Sequence, residues 1–198
     1  MARRGIFGGS FDPPHNGHLE ICRCLKQKTK IDIVTWVPAR IPPHKENKVL
    51  SDPQHRLKMT LLITENEPDF EVSTIEMDEK QPPWTIFLLE KFADIYPNDE
   101  LHLLIGGDSL TDLSTWRDYR KLWELAEIDV APRPDYDLTS VDSEILSNVR
   151  ILDCPLRDIS ASDIRHRVSE GLPINELVPR RIENYILEHE LYRIVDKS

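Results

Sequence analysis

The chain has 198 residues, 39% of them hydrophobic and 30% charged, with a net charge of −10. That is enough for one good core with a small appendage, and the acidic balance excludes the extended basic face that nucleic acid requires. Three cysteines are too few and too odd in number for a disulfide framework, no apolar run reaches membrane-spanning length and no signal-peptide core follows Arg3 and Arg4, so the expectation is a cytoplasmic protein with neither a membrane nor a nucleic-acid partner.

Arg4 to Phe7 reads as a short apolar strand. It runs into Gly8-Gly9-Ser10-Phe11-Asp12-Pro13-Pro14, then His15-Asn16-Gly17-His18, then the helical pattern Leu19, Ile21, Cys22 and Leu25, which continues to about Lys28. A strand passing through a glycine-rich loop into a helix start suits phosphate. The glycines expose backbone N–H groups, and the first helical turn adds free donors and the positive end of the dipole. Gly8, Gly9, Ser10, Phe11 and Gly17 are the candidates for that cradle. The spacing fits neither G-x-G-x-x-G nor G-x-x-x-x-G-K-[ST], which argues against an ordinary dinucleotide fingerprint or P-loop. His15 and His18 share one helix face, and both can donate to phosphate oxygens. The alternative is that one caps the helix and the other packs in the core; two histidines framing a glycine after Gly-Gly-Ser favour the anion site. Zinc ligation with Cys22, Cys24 or His44 matches no standard spacing. The two cysteines fall inside the helix and read as packing.

The next strand covers 31–37 and is closed by Pro38. Strand, helix, strand is a βαβ unit, so the sheet is parallel. The loop from Pro38 to Lys45 follows a strand end, where open α/β sheets bind ligands, and it carries Arg40, His44 and Lys45. Asp52 and Pro53 read as the N-cap and first residue of a helix that runs to about Asn66. A short strand at 70–73 and a charged, exposed stretch from Glu76 to Lys80 follow. Pro83-Trp84-Thr85 opens a helix with Ile86, Leu89, Phe92 and Ile95 at helical spacing, where Trp84 also fits a hydrophobic staple.

Leu101 to Ile105 is a buried strand ending in Gly106-Gly107-Asp108-Ser109. Such glycines let a ligand approach, and an acid there can accept from ribose hydroxyls, although Asp108 can also cap the next helix. Trp116 stands in a short amphipathic stretch. A strand at 128–131 ends in Pro132-Arg133-Pro134-Asp135-Tyr136, residues 135–148 read as a polar surface loop, and 149–152 form a last strand. Ser160 and Ser162 open a helix whose free N–H groups, with Arg165 one turn on, make a second anion site; capping by either serine is compatible with that role. A final helix from Pro179 to about His189 carries Ile182, Tyr185, Ile186 and Leu187. The expectation is one α/β domain over 1–198, a doubly wound parallel sheet with a helical segment over about 160–198.

The segment GGSFDPPHNGH, the run Ile105-Gly106-Gly107-Asp108-Ser109-Leu110 and the run Ile159-Ser160-Ala161-Ser162-Asp163-Ile164-Arg165 resemble the bacterial nicotinate-mononucleotide adenylyltransferases of the HxGH nucleotidylyltransferase superfamily, over about residues 4 to 193. The resemblance implies a Rossmann-like fold. It also implies transfer of the adenylyl group of ATP to nicotinate mononucleotide, giving nicotinate adenine dinucleotide and pyrophosphate in NAD biosynthesis. It makes His15, His18 and Arg165 the catalytic residues: His18 on the α-phosphate oxygens, His15 and Arg165 on the triphosphate and leaving pyrophosphate. It puts Gly106 and Asp108 at a nucleotide ribose, Lys45 and Arg133 at the mononucleotide phosphate, and Trp84, Thr85 and Trp116 around the nicotinate ring.

Two departures stand out. Trp84 and Phe87-Leu88-Leu89 occupy places where the family more often has Tyr and Asp-Thr-Leu, and Asp135 replaces the Gly of Arg-Pro-Gly-Tyr, adding charge and removing easy access to positive φ. The attacking phosphate is already anionic at neutral pH, so neither a general base nor a covalent nucleophile is needed. Mg2+ is expected to arrive with ATP and to need few or no protein ligands. A homo-oligomer is compatible with the resemblance. The nearest alternative is the same chemistry on nicotinamide mononucleotide or another phosphate acceptor. An inactive nucleotide-binding regulator is the alternative of another class, and the presence of His15, His18 and Arg165 stands against it.

Overall fold

The structure, a computed structural model, describes residues 1–41, 50–78, 82–132 and 136–193. Among them, β1 (Arg3–Gly9), β2 (Ile33–Pro38), β3 (Phe70–Val72), β4 (Glu100–Gly106), β5 (Glu127–Ala131) and β6 (Arg150–Ile151) form one sheet in the order β3-β2-β1-β4-β5-β6. Every neighbouring pair is parallel. Between and after the strands come α1 (Asn16–Thr29), α2 (Pro53–Thr64), α3 (Thr85–Ile95), α4 (Gly107–Asp112), α5 (Leu122–Leu125), α6 (Ser143–Ser147), α7 (Ala161–Ser169) and α8 (Arg180–Glu188). None of the described helices is long and apolar enough to cross a membrane.

The inner strands are near-continuous apolar runs because helices cover both faces. Leu104 joins one core layer with Leu25 of α1, Met59 of α2, Ile164 of α7 and Ile186 of α8. Its neighbours Leu103 and Ile105 join the other, with Leu89 of α3, Leu122 of α5 and Ile145 of α6. The C-terminal helices therefore share a core with α1. Ile182 and Ile186 are fully buried there, each worth about 1.5–3 kcal/mol.

From β1 the chain winds outward through β2 to β3, then returns to the other side of β1 for β4, β5 and β6. The order reverses between β1 and β4, and a crevice opens at the carboxyl ends of those two strands. The opposite end of the strands is closed by buried polar contacts. Arg4, buried, reaches Glu71 at 2.5 Å and Asp99 at 3.2 Å, and buried Asp129 meets His102 at 2.8 Å and Arg150 at 2.7 Å.

The structure corrects two expectations. The polar stretch 135–148 contains α6, N-capped by Asp142 and burying Val141 and Ile145. One turn is too short to show a helical period in the sequence. The cysteines are not all unpaired: Cys24 of α1 is bonded to Cys154, 130 residues on, with Cα atoms 6.0 Å apart. The pairing was invisible because it depends on α1 lying across β4 and β5, which brings it to the segment that follows β6. Cys22 stays free, and burial pushes its thiol well above the usual range.

Candidate active site

A cleft of about 480 Å3 opens at the β1/β4 switch point. β1 is still paired with β2 at Gly8 and Gly9, so the cradle begins on rigid sheet. A Cβ at Gly8 would meet nothing within 4 Å, which leaves that backbone open to a ligand. Phe11 adopts φ 48, a left-handed conformation rare for a bulky residue. Its buried ring is packed 5.6 Å from Phe7 and 5.0 Å from Trp36.

His15 is the N-cap of α1, and its backbone N–H donates to His18 Nδ1 at 3.1 Å. The two rings stack with centroids 3.7 Å apart. A nitrogen that accepts an N–H carries no proton, so the His18 proton lies on Nε2 and that atom is the ring's donor. Phe7 and Phe11 present their rings to His18 at 5.9 and 5.3 Å and limit its rotation. Gly17 is needed between the histidines: a Cβ there would sit 3.1 Å from His15 Nδ1. Both histidines line the cleft. Capping and ligand-facing roles thus coexist.

The start of α7 forms a second wall, through Ser160, Ser162 and Arg165. Ser160 Oγ is the N-cap acceptor for Asp163 N–H at 3.1 Å. The Arg165 guanidinium donates to the Asp12 carbonyl at 2.7 Å and to Ser162 Oγ at 3.2 Å, joining the two helix-start sites. Arg157 also lines this wall, held by Glu20 at 2.6 Å. Sequence reasoning missed it, since it belongs to no recognisable motif.

At the end of β4, Gly106 is the N-cap of α4 and Asp108 lies in the first turn, both on the cleft wall. Tyr136 Oη donates to the Gly107 carbonyl at 2.5 Å and fixes the chain just after residues 133–135. Thr85 and Trp116 also line the cleft. Trp84 is not on the wall. It packs on the apolar layer, with the Arg117 guanidinium 5.9 Å from its ring centre. Lys45, Arg133 and Asp135 lie outside the described residues.

Glu76 requires a correction. The charged run beginning at Glu76 was expected to be exposed, but the 3-10 turn Ile75–Met77 puts Glu76 on the cleft wall. Desolvation pushes its carboxyl up to about 7. The apolar flanks Ile75 and Met77 were the available sign. Among the described residues, no group of three or more His, Cys, Asp or Glu could hold a metal ion.

The arrangement offers two helix starts, an arginine and a histidine donor to an elongated polyanion, and an aromatic and a hydroxyl on the same cleft wall for a flat polar ring. The sequence profile of the cytidylyltransferase-like family matches residues 6–167. The chain is 39% identical to a probable nicotinate-nucleotide adenylyltransferase of Thermomicrobium roseum, over 99% of this chain and 94% of that one. It is 41% identical to a probable nicotinate-nucleotide adenylyltransferase of Frankia alni, over 94% and 98%. Its fold is that of Plasmodium falciparum nicotinic acid mononucleotide adenylyltransferase complexed with NaAD, at a TM-score of 0.81 and 22% identity, covering 97% of this chain and 98% of that one.

Proposed function

The chain belongs to the cytidylyltransferase-like family and, within it, to the nicotinate-nucleotide adenylyltransferases, and from that premise we propose how its cleft works. The enzyme transfers the adenylyl group of ATP to nicotinate mononucleotide, forming nicotinate adenine dinucleotide and releasing pyrophosphate in NAD biosynthesis. The observation that carries the assignment of roles is the joining of the α1 and α7 starts through Arg165 and the Asp12 carbonyl.

The triphosphate lies between the two helix starts, against Gly8, Gly9, Ser10, Phe11 and Gly17 on one side and Ser160 and Ser162 on the other. His18 Nε2–H donates to the α-phosphate oxygens as charge builds there. His15 and Arg165 hold the triphosphate and then the leaving pyrophosphate. Gly106 and Asp108 hold a ribose. Thr85 and Trp116 receive the nicotinate ring, with Trp84 supporting them from the apolar layer, and Lys45 and Arg133 are assigned to the mononucleotide phosphate. That phosphate attacks the α-phosphorus as an anion, so the work is positioning and charge stabilisation. Mg2+ would enter with ATP, where it would offset phosphate charge.

The test is pyrophosphate release from Mg-ATP, with nicotinate mononucleotide and nicotinamide mononucleotide in parallel. Release with strong preference for the acid is expected. Preference for the amide would keep the mechanism and overturn the acceptor, and no release with either would overturn the reaction.

A further inference from the structure

The phosphate loop is held from behind by groups to which the reaction gives no role. Asp12, 1% exposed, accepts from Tyr192 Oη at 2.7 Å and from the Ser51 backbone N–H at 3.3 Å. Arg56, also 1% exposed, donates to backbone carbonyls of three segments: Ser10 at 2.9 Å, Ala39 at 2.5 Å, Arg40 at 2.7 Å and Ser51 at 3.1 Å. Ser51 links the two, its N–H to Asp12 and its carbonyl to Arg56.

Between these anchors sits Phe11 at φ 48. A left-handed backbone at such a residue costs about 1–2 kcal/mol and persists where the surroundings over-determine it. The Asp12 carbonyl, in turn, accepts from Arg165. A phenol 180 residues along the chain from Asp12 is therefore two hydrogen bonds from the arginine assigned to the leaving group. Burial and the Asp12 charge push the Tyr192 phenol well above its ordinary range, so it remains a donor at working pH.

We propose that Tyr192, acting through Asp12, is a positioning residue for adenylyl transfer, with Arg56 holding the other side of the same loop. The proposal rests on the reaction assigned above. Ground-state contacts to the triphosphate are spread over both helix starts, whereas transition-state stabilisation depends on the exact placing of few donors. A shift of the order of 1 Å in such donors costs up to about 100-fold in rate.

Tyr192→Phe removes one hydroxyl and keeps the ring. The expected result is a kcat lower by roughly 10- to 100-fold with the KM for ATP within about threefold of wild type. In a double-mutant cycle, the kcat losses of Tyr192→Phe and Arg165→Lys should be clearly less than additive, because both act through Asp12. A merely structural hydroxyl would lower the thermal midpoint and leave the cycle additive, which overturns the proposal. Arg56→Lys keeps the charge but reaches fewer carbonyls, and it should show the same split between kcat and KM. It decides the matter if Tyr192→Phe fails to fold. A wild-type protein that releases no pyrophosphate overturns the reaction and this proposal together. An active wild type with unaffected variants overturns this proposal alone.

Discussion

Replacing Glu76 by Gln should change how stability depends on pH, by an amount set by its place on the cleft wall. Desolvation raises the carboxyl from 4.5 to about 7. An acid whose pKa is raised by folding contributes fully below the unfolded value and loses that contribution as pH climbs through the folded one. At pH 4 the folded carboxyl holds its proton and the unfolded one is mostly protonated, so the two states differ little. Between 4.5 and about 7 the unfolded chain ionises first, so stability falls with rising pH, and above that it levels off. The full span corresponds to about 3 kcal/mol, a ceiling because the side chain keeps some solvent contact. Gln resembles the protonated acid in shape and carries no charge. Glu76→Gln should thus match wild type near pH 4 and exceed it above pH 7 by up to about 3 kcal/mol, or roughly 6–12 °C in Tm for a chain of this size. Urea unfolding of the substrate-free protein at several pH values between 4 and 9 measures the difference. A gap between the two proteins that stays constant across pH would refute the reasoning.

Two further outcomes follow from the site and the core. His18→Ala removes the Nε2–H donor while leaving the neighbouring aromatic packing largely in place, so pyrophosphate release should slow by roughly 100-fold or more with little change in unfolding midpoint; near-normal turnover would sink the assignment of His18. Reducing the Cys24–Cys154 bond, which closes 130 residues of chain, should cost roughly 2–4 kcal/mol in thermal melts run with and without dithiothreitol. Cys24→Ser should show the reduced protein's midpoint and no response to the reductant.

What could be read from the sequence was local. The β1 loop, Gly17 between two histidines, the Asp52 cap and the Ser160 helix start each lie within a few consecutive residues, and their chemistry depends on spacing along one element. Parallel pairing was also legible, because strands alternate with helices. What could not be read depends on the winding of the sheet. Cys24 and Cys154 meet because of where α1 lies, and Tyr192 reaches Asp12 because α8 packs on the α1 layer. Arg56 belongs to no motif read from the sequence, yet it is buried among carbonyls from three segments. Glu76 shows the same limit. Its residue type pointed to solvent, and the 3-10 turn at 75–77 puts it on the cleft wall.

A chain of net charge −10 that binds two anionic substrates has to solve the problem locally. At physiological salt, charges more than about 8 Å from the ligand are largely screened, so what matters is the cleft wall. On the proposed reading, the donors there among the described residues include the helix starts of α1 and α7, His15, His18 Nε2–H, Arg157 and Arg165. Backbone N–H groups and a neutral imidazole need no counter-charge when the cleft is empty, so they can be held in place without an acidic partner for each donor. The one acid inside the phosphate loop, Asp12, has its carboxylate engaged by Tyr192 and Ser51 and offers its carbonyl to Arg165. On the proposed reading, that is how an acidic residue can sit in a phosphate-binding loop: donors other than the substrate satisfy its negative charge, and its carbonyl holds the Arg165 guanidinium.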